Sequence, residues 1–417
     1  MSGGSRRQWG LIGTAAFARF AGGVLMGTAL AVYVGRRGSP LAVSLVSASY
    51  FLGLMLFSPV WGAVADVTGR RRAVLVTTGL AATLAVLPLT VVDGVWGPVA
   101  LRALYAAFAA GFAPVTLAVV STYGGAAGRG RSIGVFNSAR SSGFAGGQLT
   151  AGLLLGLLVP AQLYLVIAGL SLVSTLLVAV IADPTPTPAV QPTLGALASE
   201  VRTRLLPAVD ERAHLRRNGL RWLYVALAVR NMCVLAIMGL MPPYLVGVVG
   251  VSEPVMGGLL AINHGGQVAF MYLLGVAADR VGRKPLVVAG MAGSGLFALL
   301  AAAATLPAGP LSRIAVAGLA FLVLGAAFSA MTTGAIAFIA DVAPADRESE
   351  LMGLRSTAKG LGGVVGPPAV GALATVTSYE TAFAAGSVLA LGAAGLVAVA
   401  LVESHPGRVA RPAPGDD

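Results

Sequence analysis

The sequence predicts an all-α integral membrane protein of twelve transmembrane helices, arranged as two similar six-helix bundles. Three observations predict it: a very apolar composition, twelve apolar segments of spanning length, and a pattern that recurs in the second half. Hydrophobic residues make up 57% of the 417 residues and charged residues 11%, whereas a soluble domain carries about a quarter charged residues. The chain therefore lacks the polar surface that a water-soluble protein needs.

Twelve apolar segments are long enough to cross a membrane as helices, since about 20 residues span a hydrocarbon core of roughly 30 Å. Each is predicted to be helical because an open strand edge in lipid would leave backbone groups without partners. The first is too long for a signal-peptide core and is interpreted as a span. In chain order, spans 1 to 12 are 10–34, 41–64, 73–92, 97–120, 133–158, 162–182, 222–249, 255–278, 286–306, 312–340, 352–375 and 380–402.

The distribution of basic residues predicts that both termini are cytoplasmic. With the N-terminus inside, the inner connections and tails contain 19 Arg and Lys residues, and the outer connections contain only Arg36, Arg37 and Arg313. Basic residues concentrate in the cytoplasmic loops of membrane proteins. This distribution also explains the net charge of +12, which in a soluble protein would suggest a nucleic-acid partner. We therefore predict a multi-pass protein of the cell membrane that binds no nucleic acid.

The longest connection, residues 183–221, divides the chain into an N-terminal bundle at 1–182 and a C-terminal bundle at 222–403. A cytoplasmic tail follows at 404–417. The connection opens with prolines, which favour an extended linker. Its apolar residues within 194–205 then recur at helical spacing, which predicts an amphipathic helix on the cytoplasmic membrane surface. We expect this linker to act as a tether without an activity of its own.

The two halves repeat each other in the same order. GAVADVTGRRR, starting at Gly62, recurs as GVAADRVGRKP, starting at Gly275. Parallel repeats are one of the two repeat types of secondary transporters, whose substrate sites lie near mid-membrane between the repeats. Outside this segment, the matching residues are Arg19 with Arg230, Tyr33 with Tyr244, Gly134 with Gly353, Arg140 with Lys359, and Gly147 with Gly366.

The repeated segment resembles the signature loop of the major facilitator superfamily, G-x-x-x-D-x-x-G-R-[KR]-[KR], between spans 2 and 3. The first copy fits fully, and the second has Pro285 in place of the last basic residue. The resemblance covers nearly the whole chain and implies the major facilitator fold. It also implies a conformational latch, a set of contacts that hold the outward-open state and break as the halves rock. The latch residues are Gly62, Asp66, Gly69, Arg70, Gly275, Asp279, Gly282, Arg283 and Asp341.

The acidic partner that the family places at the inner end of span 4 or span 10 occurs once. It is Asp341, and the matching position in the first half is Thr122. The latch of Asp279, Arg283 and Asp341 is therefore expected to be complete, and that of the first half incomplete. Charges that only fix topology would account for the arginines but not for a repeated aspartate.

Two further patterns resemble the drug and metabolite efflux branch of that family. Arg102, followed by Gly111, is similar to the family's fourth-span arginine motif, which the family links to proton coupling. Glycines in spans 5 and 11 are similar to the antiporter pattern, although Gln148 replaces its proline in span 5. Close helix packing and a proline bend also explain these residues. The packing and bend residues are Gly134, Gly143, Gly147, Gly353, Gly362, Gly366 and Pro367.

Basic residues lie deep in the spans, whereas all sixteen acidic residues lie in loops, tails or span ends. Arg19, Arg140, Arg230 and Lys359 are 7 to 9 residues from the cytoplasmic ends of spans 1, 5, 7 and 11, which is about 10–14 Å. A cation there costs at least about 2.5 kcal/mol and normally faces a partner or a polar cavity. An anionic substrate would supply the partner, but long side chains also reach the interface by snorkelling. A neutral or amphipathic substrate therefore stays open.

The substrate-binding candidates combine these cations with aromatic and amide side chains on the same spans. His264 lies at membrane depth, and an unperturbed pKa near 6.5 suits proton handling; a polar cluster with no proton role stays open. The proton-coupling candidates are Arg102 and His264. The substrate-binding candidates are Arg19, Tyr33, Arg140, Arg230, Tyr244, Asn263, Gln267 and Lys359.

These observations predict a secondary active transporter that moves a small organic solute by alternating access, with proton-coupled export as the first hypothesis. An organic-anion carrier, by uptake or exchange, is the alternative. A membrane-embedded sensor or enzyme is disfavoured, because the sequence contains no HExxH, paired-cysteine, nucleotide-loop or nucleophile pattern. The lone Cys233 excludes a disulfide within the chain. We expect a monomer with a small-molecule substrate, lipid and protons as partners, and with no cofactor or metal.

Overall fold

The computed structural model describes residues 3–183, 193–205, 213–344 and 348–404, and within these ranges the regular structure is helical throughout. Short non-α helical segments lie at Leu87–Thr90, Ala213–Gly219 and Leu245–Val249. The α-helices in chain order are α1 Gly3–Gly35, α2 Pro40–Thr68, α3 Arg71–Val86, α4 Trp96–Ala109, α5 Phe112–Leu155, α6 Pro160–Ala179, α7 Leu194–Leu205, α8 Leu220–Tyr244, α9 Glu253–Val281, α10 Arg283–Ala303, α11 Pro310–Val342, α12 Glu348–Val376 and α13 Tyr379–Ala400.

The predicted membrane fold of twelve spans in two matching bundles is confirmed. Helices α1 to α3 form spans 1 to 3, α6 forms span 6, and α8 to α13 form spans 7 to 12. Span 4 comprises α4 and the start of α5, and span 5 follows a kink at Gly125, whose φ of +60° suits only glycine. Nine described segments are long and apolar enough to cross a membrane by composition. The other three spans carry Arg140, His264 and Lys359.

Close contacts between small residues join span 1 to span 5 and span 7 to span 11. A Cβ atom at Gly143 would come within 2.7 Å of the Phe17 carbonyl oxygen. The matching Gly362 would place a Cβ atom 2.7 Å from the Ala228 carbonyl oxygen. Helices approach this closely only where small residues face the neighbour, which is the usual packing device in lipid. The repeat of the sequence is therefore also a repeat of helix contacts.

Gln148 occupies the position at which the resembled family has proline. Its buried side chain accepts a hydrogen bond of 2.8 Å from the Thr28 hydroxyl of span 1. At the matching position of span 11, Pro367 lies inside the helix. The first bundle thus has an inter-helix hydrogen bond where the second has a helix-distorting proline.

The two halves contact each other along the outer part of the protein, which is the end predicted to face away from the cytoplasm. A Cβ atom at Gly152 of span 5 would lie 2.8 Å from the Cα atom of Gly257 in span 8. The Leu41 backbone N–H of span 2 donates to the Thr375 hydroxyl of span 11 at 3.0 Å. At the opposite ends of spans 5 and 11, Cβ atoms at Gly134 and Gly353 would meet no described atom within 4 Å. The outer end is closed in this conformation.

Matching carboxylates cap the first turns of spans 3 and 9, at the end predicted to be cytoplasmic. The backbone N–H of Arg72 donates to Asp183 at 3.0 Å. Those of Arg283 and Lys284 donate to Glu403 at 3.0 and 3.2 Å. A helix N-terminus has unpaired N–H groups and a partial positive charge, so a carboxylate stabilises it. The last acid of each bundle therefore ties span 6 to span 3 and span 12 to span 9.

Replacing Glu403 with alanine should destabilise the protein by about 0.5–2 kcal/mol, the usual value of a helix cap. The N–H groups of Arg283 and Lys284 would lose their acceptor. The midpoint of thermal unfolding in detergent measures this, with Asp93→Ala as the control because Asp93 is exposed in a loop. An equal midpoint for both variants would contradict the capping role.

The predicted linker contains helix α7, which packs against span 2. Arg204 of α7 pairs with Asp66 at 3.1 Å and with Glu200, one turn earlier, at 2.8 Å. A Cβ atom at Gly62 would lie 3.0 Å from the Arg204 guanidinium. The flanking residues 184–192 and 206–212 lie outside the described ranges. The linker helix is thus joined to the first copy of the repeated segment.

Candidate substrate site between the two halves

Three basic side chains from both halves form a group that we call the cationic cleft: Arg140, Arg355 and Lys359. Arg140 belongs to span 5, and the other two belong to span 11. Lys359 lies within electrostatic reach of Arg140, Arg355 and the buried Arg230. The side chain of Lys359 is exposed, although three other basic residues surround it. Lys359 therefore faces open space between the halves.

The cationic cleft has no acidic counter-charge in the described part of the chain. Arg140, Arg355 and Lys359 form neither an ion pair nor a hydrogen bond with any described side chain, and Nε of Arg140 is sealed from solvent without an acceptor. Like charges repel strongly where the surroundings are less polar than water. The cleft therefore carries a positive charge that no described acidic residue offsets.

Arg230 lies beside the cleft and is held by the second bundle. It is 1% exposed, and its Nε donates to the Ser294 hydroxyl at 2.9 Å. Its Nη1 donates to the Asn231 side chain at 3.3 Å, whereas the buried Nη2 has no described acceptor. Arg230 thus adds to the positive field on Lys359 without being exposed itself.

His264 borders the same cleft. Its ring packs on Phe144 of the opposite half, with 5.1 Å between the ring centroids, and Lys359 and Arg140 lie within electrostatic reach. Nδ1 of His264 is buried without a hydrogen-bond partner among the described residues. The buried amides of Gln267 and Asn263 bond to each other at 3.1 Å, one helical turn apart. The predicted polar cluster of span 8 therefore meets the cations of spans 5 and 11.

Arg19 and Arg102 lie inside the first bundle, away from the cationic cleft. Arg19 donates to the Ser171 hydroxyl at 2.7 Å, and its guanidinium lies 5.4 Å from the centre of the Tyr105 ring. Arg102 donates to the Gly23 carbonyl at 3.2 Å and lies over the Tyr50 ring at 4.2 Å. Both arginines are 5% exposed. Their nearest groups are the bundle's own aromatic rings and hydrogen-bond acceptors.

The matched pair Tyr33 and Tyr244 also lies outside the cleft. Tyr244 is fully buried, donates to the Ala301 carbonyl at 2.8 Å and packs on the Phe383 ring. Tyr33 lies at the outer end of span 1 beneath the guanidinium of Arg37. Tyr33 and Tyr244 therefore occupy equivalent positions in the two bundles, but they do not face each other across a shared site.

Arg355 is the cleft residue that the sequence analysis did not identify. It lies four residues before Lys359 on the same helix. Residues at that spacing share a helix face. A search of each membrane-depth cation for a second cation one turn away would have found it.

The described latch side chains make contacts within their own half or with the linker. Asp66 pairs at 3.4 Å with Arg71, which is not one of the predicted latch residues, and Arg71 donates to the Thr122 hydroxyl at 3.2 Å. Arg283 pairs with Asp341 at 3.1 Å. At both matching positions, a basic residue of the repeated segment therefore donates to the side chain. The acceptor is the neutral hydroxyl of Thr122 in the first half and the carboxylate of Asp341 in the second.

The glycines of the repeated segment have a conformational role. Gly69 and Gly282 have φ values of +63° and +101°, which other residues rarely adopt. A Cβ atom at Gly282 would also come within 2.6 Å of the Glu403 carboxylate that caps span 9. The side chain of Asp279 lies outside the described part of the structure.

An ion pair joins the halves at the outer rim. Arg36, after span 1, lies 2.6 Å from Glu253 at the start of span 8, with side chains that are 54% and 23% exposed. Partly exposed pairs contribute about 0.2–1 kcal/mol. The pair therefore assists the closure of the outer end but does not dominate it.

Glu253→Gln should raise the population with an open outer end by no more than about fivefold, the equivalent of 1 kcal/mol. A cysteine replacing Ser44, which is buried under Gly371 at the interface of the halves, reports this opening. Its rate of labelling from outside by an impermeant maleimide is measured, with Glu380→Gln as the control. Unchanged labelling in Glu253→Gln would show that the ion pair does not contribute.

Comparison with known proteins agrees with this architecture. The Major Facilitator Superfamily profile matches residues 11–265 and 232–416. The structure is similar to the nucleoside transporter NupG, with a TM-score of 0.72, 14% identity and coverage of 94% of this chain and 98% of the other. A POT family transporter in complex with 5-aminolevulinic acid gives a TM-score of 0.73 at 12% identity, covering 94% and 96%. No curated protein sequence matches the chain significantly.

A bacterial homolog of the human lysosomal transporter Spinster, in an inward-facing and occupied conformation, is also similar. Its TM-score is 0.73 at 14% identity, with 94% of this chain and 96% of that chain covered. At these identities the solved structures establish the fold, while the profile covers both halves of the sequence. The chain is therefore a membrane transporter, not an enzyme, and it belongs to the Major Facilitator Superfamily.

Proposed function

We propose that the protein is a secondary carrier that moves a small organic anion across the membrane by alternating access, with the cationic cleft as its binding site. One observation carries the proposal: Arg140, Arg355 and Lys359 converge between the halves without a described counter-charge. This is the organic-anion alternative of the sequence analysis, now with a specific set of residues.

Cations at membrane depth are costly to keep charged. Each costs at least about 2.5 kcal/mol unless water or a partner stabilises it. A substrate carboxylate or phosphate would supply charge-assisted hydrogen bonds to these donors. The anion would thus provide the partner that the protein lacks.

The same charges favour exchange over net uptake. Closing the cleft around three unneutralised cations removes water from them, whereas closing it around a bound anion does not leave them unpaired. Residues 1–182 and 222–403 would rock about the cleft, with 183–221 as a cytoplasmic tether. The carrier would therefore cross the membrane more readily when loaded than when empty.

A screen of purified protein by thermal shift tests the proposal. Compounds that share one carbon skeleton but carry a carboxylate, an amide or an ammonium group separate charge from shape. We expect stabilisation by anions only, and its loss in the double variant Arg140→Gln, Lys359→Gln. Equal stabilisation by the amides would favour a neutral or amphipathic substrate, and stabilisation by ammonium compounds would overturn the proposal.

Proton-coupled export is the second candidate, and the position of His264 favours it. The ring lies between Phe144 of the other half and the cleft cations, with Nδ1 unpaired among the described residues. A titratable group at the contact between halves can link proton uptake to their movement. In this reading, a proton would move inward as the substrate is exported.

His264→Gln is expected to remove the pH dependence of transport, because glutamine keeps hydrogen-bonding capacity but cannot titrate. The measurement is the initial rate in proteoliposomes over a pH series with an imposed gradient. His214→Gln is the matched control, since His214 lies in the linker. A pH profile like that of the unmodified protein would exclude His264 as the proton carrier.

A further inference from the structure

A second cavity, separate from the cationic cleft, opens at the outer end of the first bundle. Its volume is about 520 Å³, and all of its lining residues belong to the end of span 1 and to the region joining spans 5 and 6. One wall carries Tyr33, Arg36 and Arg37, and the facing wall carries Leu158, Leu163 and Tyr164. We call it the outer vestibule. It combines two cations and two phenols with an apolar surface.

The two tyrosines are almost wholly buried, and their hydroxyls have no hydrogen-bond partner in the described part of the chain. Tyr164 is 2% exposed and Tyr33 is 8% exposed. Neither hydroxyl bonds to a described residue, yet neither oxygen is sealed from solvent. Since the vestibule is the space that both residues line, the small exposed part of each side chain includes a hydroxyl directed into it. A buried polar group normally has a hydrogen-bond partner, so these two indicate a ligand position.

Arg36 and Arg37 add positive charge beside the two hydroxyls. The Arg37 guanidinium stacks on the Tyr33 ring, 3.9 Å from its centre. A stacked guanidinium presents the donors at its edge, in a geometry that matches a carboxylate or phosphate. Arg36 lies at the rim, where it pairs with Glu253 of the other half.

We propose that the outer vestibule binds a small amphipathic anion. Its carboxylate or phosphate group binds Arg37 and the hydroxyls of Tyr33 and Tyr164, and its apolar part packs on Leu158 and Leu163. Free solutes and lipid headgroups share this chemistry, and the experiment below separates them.

The vestibule is also linked to the movement of the halves. An anion near the rim competes with Glu253 for Arg36, and the Arg36–Glu253 pair connects the two halves at the closed outer end. Because coupling between sites is reciprocal, a ligand that weakens this pair favours opening, and opening favours the ligand. Occupancy of the vestibule thus promotes the outward-open conformation.

Calorimetric titration of the full chain in phosphatidylcholine nanodiscs with 1-naphthylacetate tests the proposal, with neutral 1-naphthylacetamide as the matched probe. We expect the acetate alone to bind, and Arg37→Gln and Tyr164→Phe each to weaken binding by about ten- to a hundredfold, as for lost bonds to a charged group. Arg131→Gln is the control, since Arg131 is exposed just before span 5 and belongs neither to the vestibule nor to the cationic cleft. Equal affinity of the acetate for Arg37→Gln and the unmodified protein, or equal binding of the amide, would overturn the proposal.

Nanodiscs that also contain phosphatidylglycerol distinguish the source of the anion. Competition between this lipid and the naphthylacetate that depends on Arg37 would identify a headgroup as the occupant. Undiminished binding would identify a soluble anion. The labelling rate of the Ser44→Cys reporter should rise with naphthylacetate, and should not rise in Arg37→Gln. The thermal midpoints of Arg37→Gln and Tyr164→Phe should equal that of the unmodified protein. Arg37 is exposed, and phenylalanine retains the ring of Tyr164.

Discussion

Replacing Gly257 with valine should lower the transport rate by about five- to a hundredfold while the protein still inserts and folds. A Cβ atom at Gly257 would lie 2.6 Å from the Gln148 carbonyl oxygen and 2.7 Å from the Cα atom of Gly152. Both are backbone atoms, so no side chain can move aside. Overpacking costs about 1–3 kcal/mol, and each 1.4 kcal/mol is a factor of ten. Spans 5 and 8 would no longer close the outer end.

The neighbouring Gly258→Val is the matched control, since a Cβ atom at that position meets no atom within 4 Å. Transport is measured in proteoliposomes with a substrate from the ligand screen. The Ser44→Cys reporter should label faster from outside in Gly257→Val and at the unmodified rate in Gly258→Val. Cys233 is fully buried and gives little background. Equal transport by the two valine variants would show that this contact does not control closure.

Removing the charge of Lys359 or Arg140 should reduce the affinity for an anionic substrate by about ten- to a hundredfold, because a hydrogen bond to a charged group is worth about 1.5–3 kcal/mol. Lys359→Gln and Arg140→Gln keep a polar side chain at each position. Lys359→Glu should abolish anion transport altogether, since the new carboxylate would repel the substrate. The measurements are binding by calorimetry and exchange in proteoliposomes.

Arg131→Gln is the control for these variants. Arg131 lies on the same helix as Arg140 but is exposed just before the start of span 5. Its loss should leave the affinity unchanged, whereas any general effect of lowering the positive charge would appear in all variants. An equal reduction for anionic and neutral compounds in Lys359→Gln would indicate altered packing and contradict the proposed role of its charge.

The latch shows how far a repeated sequence pattern extends. The correspondence of Thr122 with Asp341 came from sequence, and both residues contact a basic residue of the repeated segment. The contacts are offset by one residue, because Thr122 contacts Arg71 whereas Arg70 is the residue that matches Arg283. The helix caps show where such a pattern ends, since Asp183 and Glu403 cap spans 3 and 9. Those acids are more than a hundred residues from the helices that they cap, so no local pattern connects them.

The candidate site shows the same limit. The distance to the nearest loop predicts the depth of a residue within its span, and on that basis Arg140 and Lys359 are expected near mid-membrane. The direction in which a side chain points depends on helix rotation and on the neighbouring spans. For that reason Tyr244 and Arg19 lie within their own bundles, and Arg355 joins the cleft although it lies nearer the end of its span.

By itself, the sequence determined the class of protein, the twelve spans and the two-fold repeat, because burial in lipid demands long apolar helices and duplication leaves matching residues at fixed offsets. Only the tertiary structure decided which membrane-depth cations meet, which lie among aromatic rings, and which end is closed. Those outcomes depend on contacts between residues far apart in the chain. In the sequence, Arg19 and Arg140 look alike, since both are predicted to lie deep in a span. Only the packing of the helices shows that Arg19 lies inside its own bundle and that Arg140 faces the other half.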